Sequence, residues 1–278
     1  MMRSDIDARI RPPAVAGLFY PGESSQLRNC VSEYLAQAPA PPPVSSGEPP
    51  KALIVPHAGY IYSGGIAAAA YSQVAQRREF IRRVIIIGPS HRVYLQGMAV
   101  PATEAFRTPL GVVPIDRELK ARLLVHAQVV EADEPHAHEH SLEVQLPFLQ
   151  VLLDDFTLLP LALGSASAPA VASALAEVWG GEETLVLVSS DLSHYLPYDA
   201  ARELDSETIG CILRFDPHLS GEQACGCTGI NGLSYLARQR GLSIAEIARC
   251  NSGDTAGDRH RVVGYGAFRL HEPGRSNS

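Results

Sequence analysis
The stretch RVIIIGPSH, Arg83 to His91, decides how this chain folds. Val84 to Ile87 is an unbroken β-branched run. Gly88 and Pro89 stop it, and the small polar Ser90 then delivers His91. A short apolar run bounded by Gly and Pro reads as a strand buried on both faces, as in a parallel sheet. The same grammar occurs twice more. ALIVPHAG, Ala52 to Gly59, is a strand that ends in Pro56 and His57. TLVLVSSDLSH, Thr184 to His194, is a strand that ends in Ser189, Ser190, Asp191 and then His194. Three strands thus place a histidine just past their carboxyl ends, the edge at which open α/β sheets bind ligands. Parallel strands would bring the three imidazoles to one rim although they lie far apart in sequence.

The 278 residues, 46% hydrophobic and 19% charged, can bury a sizeable core. The net charge is −7 and no more than two basic residues are ever adjacent, which argues against nucleic acid or an anionic membrane as partner. No apolar run reaches the length needed to span a bilayer. The first residues, MMRSDIDARI, carry acids and lack the apolar stretch of a signal peptide, so the expected location is the cytoplasm. Five cysteines, an odd number at irregular spacing, predict reduced thiols rather than a disulfide framework.

Working outward, residues 1–10 read as a loose tail. Arg11 to Gly22, RPPAVAGLFYPG, reads as a loop pinned by its aromatics or as a segment lining the mouth of a site. Glu23 to Gln37 predicts a helix, with Leu27, Cys30, Val31, Tyr34 and Leu35 on one apolar stripe. Pro39 to Pro50 is a Pro/Ser linker. Ser63 is a candidate cap for a helix from Gly64 to Gln76. Gly97–Pro101 and Leu110–Ile115 read as a strand pair, and Asp116 caps the helix that follows. Ser141 opens a helical segment through Leu153 that Pro147 should kink. Phe156–Leu163 is a strand and Ala168–Trp179 a helix. After the third histidine strand come a helix over about Tyr198–Phe215, the tight turn QACGCTG, and a helix from Ile230 to Arg240. Strands Ile244–Cys250 and Val262–Leu270 close the chain. Strands alternating with helices predict α/β layers.

The chemistry candidates follow from this order. Neutral imidazole is a common ligand of iron, copper and zinc, so His57, His91 and His194 are candidate ligands. Two or three such ligands with an open position make a catalytic site rather than a closed structural one. Cys225 and Cys227 form C-x-C with no second pair, which rules out a zinc ribbon. Gly226 and Gly229 place Cys225 in a turn before a helix, where a thiolate is favoured. Cys225 is therefore a candidate to complete a two-histidine site, and Cys227 reads as its packed neighbour. His136, His138 and His140 alternate, which in an extended chain puts them on one face. His136 and His138 are expected in a solvated loop, with His140 and Glu143 supporting the metal ligands from behind. Ser189, Ser190, Asp191 and His194 suggest a hydrolase triad, but no G-x-S-x-G elbow surrounds either serine. Asp191 is better suited to orient an imidazole or bind substrate. NSGDTAG, Asn251 to Gly257, lacks the Gly-Lys-Ser/Thr ending of a phosphate-binding loop.

At these residues the sequence resembles the Memo family, in the branch called AmmeMemoRadiSam system protein B. The matching stretches are RPPAVAGLFYPG, VPHAGYIYSG, IIIGPSH, TPLG, EHSLEVQLPFLQ, SSDLSHY, ACG and NSGD…VVGYGAF. They span about Arg11 to Leu270. The family is related in fold to the class III extradiol dioxygenases, which use non-haem iron(II). The resemblance implies a three-layer α/β/α fold with a largely parallel or mixed central sheet and a site on one sheet edge. It also implies a single Memo-like domain over 11–270, with 1–10 and 271–278 as loose tails.

Carried over position by position, the family's metal site falls on His57, His91 and Cys225. His194 falls where the related dioxygenases keep an acid/base histidine. Those enzymes hold iron with two histidines and a glutamate, whereas a cysteine here favours copper(I) or zinc. The implied protein holds one iron or copper ion, with zinc as a further option, and carries out redox or oxygen-dependent chemistry on a small-molecule substrate or peptide. His194 would move protons, and Asp191, His140 and Glu143 would orient the ligands. A radical-SAM protein of the same system is the implied partner. The alternatives are a non-enzymatic module that binds a peptide or protein in the same cleft, and a zinc hydrolase.

Overall fold
The structure, a computed structural model, describes residues 9–40 and 50–273. In chain order the elements are β1 (Ile10–Arg11), α1 (Ser24–Gln37), β2 (Ala52–Val55), α2 (Tyr60–Ser72), β3 (Arg83–Pro89), β4 (Met98–Val100), β5 (Ala105–Thr108) and β6 (Gly111–Pro114). Then come α3 (Arg117–Leu123), β7 (Val129–Glu131), α4 (Glu134–Ala137), α5 (Leu146–Leu152), β8 (Thr157–Leu163), α6 (Ala168–Val178) and β9 (Thr184–Ser189). The last are β10 (His194–Leu196), α7 (Tyr198–Leu213), α8 (Cys227–Arg240), β11 (Ser243–Asn251) and β12 (Val262–His271).

Nine strands form one mixed sheet in the order β10-β12-β2-β9-β3-β8-β4-β7, with β11 also paired to β12. Its centre, β2-β9-β3-β8, is parallel. The β-branched run of β3 explains why this strand lies inside. Successive side chains point to opposite faces, and both faces are covered. Ile85 and Ile87 enter one core with α3, α6, α7 and α8, while Val84 and Ile86 enter the other with α1, α2 and α5. The same alternation holds in β2 and β9, which gives three layers, α/β/α. No helix among the described residues is long and apolar enough to cross a membrane.

Several local expectations shift. Gly97–Pro101 and Leu110–Ile115 do not pair with each other. β4 pairs with β8 and β7, and β6 folds back on β5 across a two-residue turn, in a separate sheet ordered β1-β5-β6. The nearest strand in sequence wins because so short a turn closes the hairpin locally. α2 starts at Tyr60, so Ser63 lies inside it and donates to the Ala58 carbonyl rather than capping. Gly64 lets α2 approach α1, since a Cβ there would lie 2.8 Å from the Tyr34 ring. Pro147 does not kink a helix. It stands in the first turn of α5, where its missing N–H costs nothing, after a 3₁₀ turn at Glu143–Gln145. Most of the expected linker and tails lies outside the described residues. At their described ends, the Arg9 carbonyl accepts from Glu104 N and Trp179 Nε1 donates to Glu272.

Candidate metal centre
The central strands set the site. Because β2, β9 and β3 are adjacent and parallel, their carboxyl ends carry His57, Ser189–Asp191 and His91 to one edge. His140 arrives from the other direction, on the segment between α4 and the 3₁₀ turn. One ring nitrogen from each of His57, His91 and His140 lies within 4.8 Å of the others. The His91 and His140 rings stack at 4.8 Å, and His57 meets each of them edge-on at 5.3 Å. His57 is buried and His91 is the most open of the three, its side chain 29% exposed, so the cluster faces solvent on the His91 side.

Hydrogen-bond bookkeeping assigns the proton on each ring. Ser189 Oγ donates its only proton to the Ser141 carbonyl at 2.6 Å, so it accepts from its other two neighbours. Those are Gln145 Nε2 and His57 Nδ1, both at 2.9 Å. Gln145 is itself fixed, because its Oε1 accepts from Tyr71 and its Nε2 also donates to the Pro56 carbonyl. His57 therefore carries its proton on Nδ1 and keeps a lone pair on Nε2. His91 Nδ1 sits 2.9 Å and His140 Nδ1 3.2 Å from Glu139 Oε1. An ionised carboxylate only accepts, so both rings present Nδ1–H to it. Burial, followed by the neighbouring imidazoles, holds the His57 pKa well below its ordinary value, so the ring stays neutral. Burial pushes the Glu139 carboxyl up, but donors from His140, His91 and the Ser141 backbone outweigh it and hold the group well below the usual carboxylate range.

Cys225 reaches the same cluster. Its Sγ lies 3.2 Å from His57 Nε2 and accepts from Asp191 N at 3.3 Å. Burial, with Asp191 beside it, pushes the thiol pKa up, so Cys225 keeps its proton and can donate a hydrogen bond to His57 Nε2. The turn before α8 must be tight here, since a Cβ on Gly226 would lie 2.6 Å from the Ser189 carbonyl oxygen. Asp191 accepts from His57 N at 2.7 Å, with its second oxygen 4.0 Å from His57 Nε2, and burial raises its pKa. His194 begins β10, where the pairing with β12 is irregular and Tyr195 takes φ 60°, the left-handed region. Such a bulge re-aims the side chains beside it. His194 is half-buried and influences His57 and Asp191 electrostatically.

The remaining sequence candidates fall elsewhere. Glu143 is buried, and its carboxylate accepts from Arg11 at 2.5 Å, Tyr20 at 2.5 Å, Ala14 N at 2.7 Å and Val15 N at 3.0 Å. It anchors the RPPAVAGLFYPG segment, whose Phe19 ring packs 4.7 Å from His140 and whose Phe19 carbonyl accepts from Tyr60 N. His136 is not in a solvated loop. The α4 turn replaces the extended chain that alternation suggested, so His136 is turned inward, 1% exposed, and donates from Nε2 to the Ala99 carbonyl, while His138 stays exposed. Neither serine forms a triad, since Ser189 faces His57 and Ser190 Oγ donates to the Asp191 carbonyl. Cys227 is half-buried against the core.

The donor set fits a transition-metal ion, since neutral imidazole nitrogens and a thiol are what iron, copper and zinc take. Comparison with known proteins agrees in family. A family model described as Memo-like protein matches residues 11–269. The chain belongs to the Memo family. A MEMO1 family protein of Ignicoccus hospitalis is 37% identical, over 95% of this chain and 99% of its own. Those of Aquifex aeolicus and Methanosarcina mazei are 35% and 36% identical, over 92% and 93% of this chain and 97% and 98% of theirs. The crystal structure of an uncharacterized protein (JW3007) from Escherichia coli K12 shares the fold, with a TM-score of 0.52 and 13% identity over 78% of this chain and 98% of that one. Within this Memo chain, Glu139 and Gln145 are the contributors that sequence reading missed. The available signal was position. Glu139 immediately precedes His140, and Gln145 closes the first turn after Ser141.

Proposed function
We propose that the chain is a cytoplasmic metal-binding redox protein whose centre holds one iron or copper ion. The carrying observation is that His57, His91 and His140 each bring a ring nitrogen within 4.8 Å of the others while Nδ1 of each ring is already engaged. Nε2 of each ring is then left as the atom that an ion would take. Cys225, 3.2 Å from His57 Nε2, supplies a fourth and softer donor beside them. The free state of all five cysteines fits a reducing compartment. A bound iron or copper ion would supply one-electron chemistry at the open side of the cluster.

The protein's own groups supply the rest. Ser189 and Glu139 hold the rings aimed. Asp191, whose carboxyl pKa burial raises, stands with one oxygen 4.0 Å from His57 Nε2. His194, on its bulge, exchanges protons with a small substrate entering from the His91 side. Phe19 packs its ring 4.7 Å from that of His140. After anaerobic loading with iron(II) or copper(I), elemental analysis should find ~1 ion per chain in the wild type. His57→Ala should lose it, and Cys225→Ala should weaken it. Metal content unchanged in both variants would remove the proposal.

A further inference from the structure
We propose that Glu139 is a positioning residue that holds His91 and His140 as a single unit, while the His57 ring is held by Ser189 instead. The consequence for an ion rests on the metal-centre reading. The geometry does not.

Glu139 is 1% exposed, and its carboxylate meets only N–H donors. Oε2 accepts from His91 N at 2.6 Å. Oε1 faces His140 N and Ser141 N at 2.8 Å, His91 Nδ1 at 2.9 Å and His140 Nδ1 at 3.2 Å. Four hydrogen-bond donors thus converge on the two oxygens, which offer about four lone-pair sites, and His140 Nδ1 makes a longer contact beside them. Only an acceptor-only group satisfies such a ring. An amide in its place would turn an NH₂ toward other N–H groups. The carboxylate is consumed by these contacts and serves as a strut rather than a base.

The strut joins two pieces of chain that share no strand pairing. One is the exit from β3, tied through His91 N and Nδ1. The other is the turn at 139–141, tied through His140 N and Ser141 N. Arg11 fixes the far side of that turn, donating to the Glu139 carbonyl at 2.6 Å. The two rings lie 4.8 Å apart at 25°, so whatever moves one moves the other. His57 has no share in this carboxylate. Loss of Glu139 should therefore release two of the three imidazoles, and loss of Ser189 only one. Within the pair, His140 is the looser member because its ring contact is the longest.

The test reads histidine tautomers in metal-free, ¹⁵N-labelled protein by long-range ¹H–¹⁵N correlation, and then titrates copper(II) alone with EPR detection. In the wild type, His91 and His140 should both show the Nδ1–H form, and finding Nε2–H at His91 overturns the proposal without any variant. Glu139→Gln should turn both rings into tautomer mixtures, leave His57 unchanged and weaken copper binding by about 10- to 100-fold, with fewer nitrogen couplings in the spectrum. Ser189→Ala should do the reverse, disturbing His57 alone. Glu139→Asp, which keeps the charge, should rescue His91 before His140. Unchanged rings in folded Glu139→Gln, or a change confined to one ring, overturns the proposal. A wild type with the expected tautomers that takes up no copper supports the strut and instead counts against the metal centre.

Discussion

Glu139 and Glu143 are four residues apart, both are buried, and both carboxylates are saturated with donors, yet they build two different regions. Around Glu139 the donors are two imidazoles and three backbone amides, and the region opens to solvent past His91. Around Glu143 the donors are the Arg11 guanidinium, the Tyr20 phenol and two backbone amides, and the region is closed. The contrast shows that burial alone does not tell what a carboxylate is for. A guanidinium partner turns it into an anchor, and imidazole partners turn it into an aiming device.

The comparison can be broken most directly at the anchor. Glu143→Ala strands Arg11, 4% exposed, without its counter-ion, and removing one partner of a buried pair costs about 3–5 kcal/mol. Denaturant unfolding should show that loss, with His57 still in its Nδ1–H form. Full stability combined with lost metal would reverse the roles assigned to the two carboxylates.

A smaller effect should come from His136, whose carbonyl accepts from Arg11 Nε. Burial lowers its pKa to about 4, whereas the unfolded chain titrates near about 6.5. The unfolded state then binds more protons between these values, so stability is full above about pH 6.5 and falls as the pH drops toward 4, by as much as about 3 kcal/mol. His57, also depressed, adds a loss of the same sign. His136→Gln keeps a donor for Ala99 and removes one titration, so its stability should fall less over this pH range. Equal acid sensitivity in the two proteins would show that His136 is not the sensor.

The smallest effect sharpens the comparison from outside. Arg9 and Glu104 form an ion pair at 3.0 Å with both side chains at least 36% exposed. Arg9→Ala should cost under about 1 kcal/mol, because water and salt screen an exposed pair. A loss near that of Glu143→Ala would mean that burial is not what gives the anchor its strength.

Much of this was legible in the sequence. The unbroken run Val84–Ile87 and its two counterparts announced a central parallel sheet, since only strands covered on both faces dispense with alternation. The same runs placed His57 and His91 at the carboxyl edge. The EPHAHEH stretch, Glu134 to His140, was harder. Alternation suggested an extended chain, but the one-turn α4 sends His136 into the core and leaves His138 outside. Glu143 was expected behind the ligands, and Arg11, more than a hundred residues earlier, holds it elsewhere. No local pattern encodes a partner at that distance.

Sequence by itself determined the layers, the strand edge and the residue types of the centre, because periodicity and chain punctuation act over neighbouring residues. Tertiary structure alone decided that His140 joins His57 and His91, that Glu139 rather than Glu143 faces the rings, and which ring nitrogen carries each proton. Those outcomes depend on which donors and acceptors meet once water is excluded, and a buried polar group takes whichever partner the packing leaves within reach.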